Sequence, residues 1–111
     1  MKLLIIILNK TELLDEILTL FLELGVTGAT VVDSIGMGEI VSREIPIFAG
    51  FRDLLSGSNP SSKMILTVAK DELVGEIVDG IEKSIGDFVE PGMGIYFTIP
   101  LDGVWGYREE V

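Results

Sequence analysis

Residues 2–8 form a short run, continuously apolar from Leu3 to Leu8 and rich in Ile. The run is too short for a typical helix and is β-branched, which predicts a central strand buried on both faces. Asn9 stands where a helix cap belongs, with Glu12 three residues on at capping-box spacing. Leu13, Leu14, Ile17, Leu18, Phe21 and Leu24 then recur at intervals of three and four and define one helix face. Gly25 follows at the C′ position, where a left-handed backbone is needed. In residues 29–35, Thr30, Val31, Val32 and Ile35 suit a strand, while Asp33 and Ser34 make it polar enough for a sheet edge. Gly36-Met37-Gly38 ends it. Residues 64–69 read as a third strand, apolar and central. Asp71 is placed to cap a second helix, with Leu73, Val74, Ile77, Val78, Ile81 and Ile85 inside and Glu72, Glu76, Asp79 and Glu82 outside. Gly86 stops that helix. A glycine-bearing loop, 86–94, leads to a fourth strand at 95–100, and 101–111 is a tail with the sole tryptophan, Trp105, beside Tyr107 and Arg108.

The element order is β-α-β-β-α-β. Two helices of similar length, each between strands, with two sequential strands in the middle, predict an α+β ferredoxin-like domain over residues 1–111. Its sheet would be four-stranded and antiparallel with both helices on one face, and the two most apolar strands, the first and third, would be central. Between the second and third strands lies a long insertion, residues 39–63. If Pro46 opens a short helix there, Ile47, Phe48, Phe51, Leu54 and Leu55 share one side of it, Gly57 stops it, and Gly50 weakens it. With Ile45 and Arg52 these residues make up the candidate partner-docking set. An apolar stripe on an insertion either folds onto the body or a neighbouring subunit, or meets a partner.

Composition narrows the chemistry. The chain has 111 residues, enough for one hydrophobic core. A mean hydropathy of +0.52 is high for so small a chain and points to apolar surface that meets other subunits or a partner. Eight basic against 18 acidic residues give a net charge of −10, which argues against nucleic acid or anionic lipid as partner. The absence of Cys and His removes disulfides, thiolate or imidazole metal sites, Cys nucleophiles and His bases. Asp15-Glu16, Asp71-Glu72 and Glu109-Glu110 are adjacent pairs; on a helix such neighbours point about 100° apart and read as solvated faces rather than a metal site. No catalytic residue and no metal ligand is assigned. The short apolar N-terminal run lacks a cleavage site and reads as a strand, no stretch has the length of a membrane span, and a cytoplasmic location is expected.

Gly36-Met37-Gly38 and Gly92-Met93-Gly94 are the motifs with the clearest chemical potential. Glycine lets backbone N–H groups approach a ligand and form anion-holding concavities, and it equally serves plain turns. Spacing alone leaves both readings open.

Two stretches resemble the nitrogen-regulatory P-II signal-transduction family. LELGVTGATVVDSIGMG (22–38) is similar to that family's helix-turn-strand segment, which ends in a Gly-Phe-Gly or similar triplet. EPGMGIYFTIPLDGV (90–104) is similar to its B-loop and fourth strand, and Asp15-Glu16 also fits. The resemblance covers most of the chain outside 39–63. It implies a homotrimer, adenine-nucleotide clefts between subunits, and a long T-loop, here 39–63, that docks on a target such as a transporter or an enzyme. It also implies a regulator rather than an enzyme. The ligand set carried over with it is Thr30, Gly36, Met37, Gly38, Gly92, Met93, Gly94 and Arg108.

The departures from that pattern bear on the ligand. The Arg and Gln that follow the family's first triplet are replaced by Glu39 and Ile40, and the Gly-Asp-Gly-Lys of the B-loop by Gly92-Met93-Gly94-Ile95. Of the basic pair after strand four, only Arg108 is a candidate stand-in. The tyrosine that some members carry in the T-loop is missing; Tyr96 and Tyr107 lie elsewhere. A triphosphate brings about three to four negative charges, each costing several kcal/mol to take from water unpaired. With Glu39, Asp87 and Glu90 beside the glycines, a low-charge adenine nucleotide, AMP or ADP, is expected in preference to Mg-ATP; no cofactor is assigned outright. Alternatives of other classes are a CutA-like divalent-cation tolerance protein, a small enzyme of the dimeric α+β barrel type, and a structural oligomerisation module without a ligand.

Overall fold

A computed structural model gives the fold of the chain. It describes residues 1–37, 40, 62–86, 88 and 92–108. Strand β1 (Lys2–Leu8) leads through a 3-10 turn (Thr11–Leu13) into helix α1 (Leu14–Glu23). Strands β2 (Thr30–Ser34) and β3 (Ser62–Ala69), helix α2 (Asp71–Ser84) and strand β4 (Gly94–Pro100) follow. The sheet order is β2-β3-β1-β4 with every neighbouring pair antiparallel. This is the ferredoxin-like α+β arrangement, with the apolar strands β1 and β3 central and the more polar β2 at an edge, as the sequence predicts.

Direct cross-strand partners share a face of the sheet. Leu4, Ile6 and Leu8 of β1 and Ile65 of β3 are fully buried, and with Ile17, Leu20, Phe21, Val26, Ile77 and Ile81 they form the core. Each fully buried aliphatic or aromatic side chain contributes about 1.5–3 kcal/mol. Both helices therefore lie on one face. They approach closely enough that a Cβ at Gly80 would come 2.7 Å from a Leu20 methyl.

The opposite face is open. Leu3, Ile5 and Ile7 of β1 and Met64, Leu66 and Val68 of β3 are half-buried. Ile95, Phe97 and Ile99 of β4 stand opposite Ile7, Ile5 and Leu3 and are exposed at 57%, 41% and 43%. The apolar run of β1 predicts burial on both faces. Within one chain only the helix side is closed, because both helices are on that side and no element covers the other among the described residues.

Local signals met mixed outcomes. Gly25 has φ +86°. Its N–H donates to the Leu22 carbonyl and that of Val26 to Phe21, at 3.1 and 2.8 Å, which together form a Schellman closure of α1. Gly86 has φ +113° and closes α2 by donating to Ile81. The Asn9 cap is not formed: the helix is entered through the 3-10 turn with no side-chain cap. Asn9 is held instead through its backbone, with its N–H on the Met93 carbonyl at 2.9 Å and its carbonyl accepting from Thr11. Asp71 lies one residue inside α2 and also forms no side-chain cap. Its Oδ1 pairs with the N-terminal ammonium of Met1 at 3.3 Å, so the start of β1 and the start of α2 are tied together. β3 begins at Ser62, two residues before the predicted start. There Lys63 pairs with Asp33 across the β2–β3 ladder, and the Ser34 and Ser62 hydroxyls lie 2.7 Å apart. These contacts fasten the two ends of the insertion.

Candidate functional site

The candidate ligand residues fall at the two ends of the sheet. At one, β2 finishes and β3 and β4 begin. Gly36 and Met37 lie there, just past β2, and Gly92, Met93 and Gly94 lead into β4. Met37 is 79% exposed, whereas Met93 is buried at 4% and turned into the body. Gly94 has φ +130°, and a Cβ there would come 2.0 Å from the Ile7 carbonyl oxygen. Its lack of a side chain thus has a packing cause in the close approach of β4 to β1. Gly92 also has a left-handed backbone, at φ +84°. By contrast, Gly36 has no such constraint and open space where a Cβ would go. Ile40 donates its N–H to the Gly36 carbonyl at 3.3 Å. Gly38 lies outside the described residues, as does the docking set Ile45, Ile47, Phe48, Phe51, Arg52, Leu54 and Leu55.

A cavity of about 950 Å³ is at the other end. β2 pairs with β3 only as far as Thr30 opposite Leu66. The pairing goes no further, and residues 24–30 and 66–68 line the cavity together. Thr67 Oγ1 donates to the Gly28 carbonyl at 2.6 Å and holds the first of these segments in place. Leu3, Leu66 and Val68 carry the cavity onto the open sheet face, and Lys70, Glu72, Leu73 and Glu76 supply the wall from α2 and its approach. The segment after β4 is anchored by the Leu101 N–H on the Met1 carbonyl at 3.2 Å. It then crosses the end of the sheet and delivers residues 104–108 to the far side of the cavity.

Of the sequence-predicted ligand residues, Thr30 and Arg108 meet in this cavity. The glycine loops are at the opposite end of the same sheet. Thr27, Gly28, Thr67, Lys70, Glu72 and Glu76 were missed as lining residues. Thr67 did carry a signal, as the one polar residue in the apolar run 64–69. The rest come from two separated segments, 27–28 and 70–76, whose meeting depends on the fold. The lining holds two cations, Lys70 and Arg108, and two carboxylates, Glu72 and Glu76, so it offers no net positive field. Among the described residues no group of three or more acidic side chains is arranged to hold a metal ion. None of their helices is long and apolar enough to cross a membrane.

Comparison with known protein families decides the lineage. The model of the nitrogen regulatory protein P-II family matches residues 1–111, the whole length of the chain. The chain belongs to the P-II family. No curated protein matches it. Proteins of this family are regulatory signal transducers and are typically trimeric regulators of target proteins. The P-II family match and the ferredoxin-like sheet agree with each other.

Proposed function

We propose that this P-II chain is a cytoplasmic, non-enzymatic regulator. It works as a homotrimer, senses a low-charge adenine nucleotide in clefts between subunits, and controls a target such as a transporter or enzyme through residues 39–63. The observation that carries this reading is the open apolar sheet face that joins the two ends. Leu3, Ile5, Ile7, Ile95, Phe97 and Ile99 are neighbours on it. A second copy laid on that face buries apolar area at about 25 cal/mol per Å². Within one chain the glycine loops and the Thr30–Arg108 cavity lie at opposite ends of the sheet, and in our reading a neighbouring subunit's loop completes the cavity. The balanced lining supports AMP or ADP over free ATP, since two cations offset by two carboxylates leave nothing to neutralise the added charge of a triphosphate, and among the described residues no acidic group is arranged to hold a metal ion beside it.

Thermal-shift measurements on the intact protein with adenosine, AMP, ADP and ATP, with and without Mg²⁺, test the sensing half. AMP or ADP is expected to raise the melting temperature more than Mg-ATP, by the linkage between binding and folding. Absence of stabilisation by every adenine compound removes that half. A pull-down comparing the intact chain with a variant lacking residues 41–60 tests the docking half, with loss of a target on deletion as the expected result.

A further inference from the structure

We propose that Trp105 is the stacking residue of the cavity, the surface that receives the planar ring of a nucleobase-type ligand. The inference rests on the reading of the cavity as an adenine-compound site and names the residue that gives that site its affinity.

Trp105 is the only tryptophan and is 90% exposed, more than any other large hydrophobic residue among those described. It is nevertheless part of the cavity wall, with Tyr107 and Arg108 on the same segment and Thr30 on the neighbouring one. Its position is built by the chain. The benzo end of the indole rests over Gly103, where a Cβ would lie 2.7 Å from Cη2 and 3.0 Å from Cζ3. Gly106, immediately after it, has φ +80°, a turn that carries the chain on to Tyr107 and Arg108. The ring is therefore placed on backbone at the cavity edge with most of its surface unused.

The electrostatics point the same way. Lys70 and Arg108 share the lining with Glu72 and Glu76, so attraction to phosphate is largely offset. A ligand held here must draw its affinity from a source other than charge. Base–aromatic stacking is that source: it works for any flat heteroaromatic ring and is little affected by salt. In this arrangement Arg108 is left to meet a single phosphate, and Glu72 and Glu76 can accept hydrogen bonds from hydroxyl or amino groups.

Because Trp105 is the sole tryptophan, intrinsic emission reads this one ring. The intact protein is titrated with AMP, ADP and adenosine while emission and calorimetric heat are followed, with ribose 5-phosphate as the ring-less control. The adenine compounds are expected to change the emission along the same isotherm as the heat, and ribose 5-phosphate to leave it unchanged. Trp105→Ala should weaken binding about tenfold, and Trp105→Phe less. Gly103→Ala should also weaken it, since the added methyl displaces a ring that is still present; circular dichroism checks that each variant is folded. If adenine compounds bind with heat but emission and the affinities of Trp105→Ala and Gly103→Ala stay as in the parent, the stacking role is overturned while the site reading stands. If no adenine compound gives heat or a thermal shift, the site reading falls and this inference with it. A ligand-free emission already blue-shifted and shielded from acrylamide overturns it too, by placing Trp105 against a neighbouring subunit.

Discussion

Gly94 opens β4 at the end of a loop with the composition of a ligand cradle, yet its geometry makes it a folding residue, and Gly94→Ala separates the two roles. The backbone there has φ +130°, a left-handed conformation that costs an L-residue about 1–2 kcal/mol. The added Cβ would come 2.0 Å from the Ile7 carbonyl oxygen and 3.3 Å from the Asn9 nitrogen. Both are backbone atoms of the adjoining strand, so neither can swing aside as a side-chain end would. Relief needs the strands to part locally by about 1 Å. The hydrogen bond nearest the strain, Asn9 N–H to the Met93 carbonyl at 2.9 Å, is then the first to go, at about 1 kcal/mol net. The sum is about 2–3 kcal/mol of lost stability, a fall in melting temperature on the order of 10–15 °C. Calorimetry or circular dichroism melts at one fixed protein concentration measure it, without ligand present. Gly36→Ala is the control: it meets open space with no positive φ and should melt within about 0.5 kcal/mol of the parent. A Gly94→Ala protein that melts with the parent would refute the packing account and return Gly94 to the ligand set alone.

Other perturbations follow from the same contacts. Ile77→Ala removes a fully buried side chain from the core and should cost about 2–5 kcal/mol in denaturant unfolding. Gly80→Val forces the helices apart where Leu20 lies 2.7 Å from a Cβ position, with an expected loss of about 1–3 kcal/mol in the same assay. Asp33→Asn breaks an ion pair whose carboxylate side is 84% exposed, so it should change stability by less than about 1 kcal/mol, and less still in high salt.

The sequence and the structure agree where the signal is local. The Gly25 turn followed by buried Val26 is a helix stop whose partners all lie within six residues, and it forms as the pattern implies. The two central strands are identifiable from their predominantly apolar runs. That same uniformity conceals which face is covered: in Leu3-Leu4-Ile5-Ile6-Ile7-Leu8 both faces are apolar, and only the cross-strand register separates the helix side from the open side. Asn9 has the right residue type for a cap, but β4 takes up its N–H through Met93, a partner more than eighty residues away that no local window contains. The cavity is harder still to foresee. Thr30 and Arg108 were marked from a family resemblance, while Lys70, Glu72 and Glu76 join them only because the C-terminal segment crosses the end of the sheet.

The central claim is that the open sheet face is where copies of this chain meet and complete the ligand cleft. Light scattering on the intact protein, run beside a Phe97→Asp variant, tests it most directly. Phe97 is in the middle of β4 on that face, opposite Ile5, and a charge there would be buried in any assembly that uses the face, at a cost of several kcal/mol per subunit. The account predicts a mass three times the 12.1 kDa of one chain for the parent and a dissociated, still folded species for Phe97→Asp. A parent with the mass of a single chain at micromolar concentration, or a trimer that Phe97→Asp leaves intact, would contradict it.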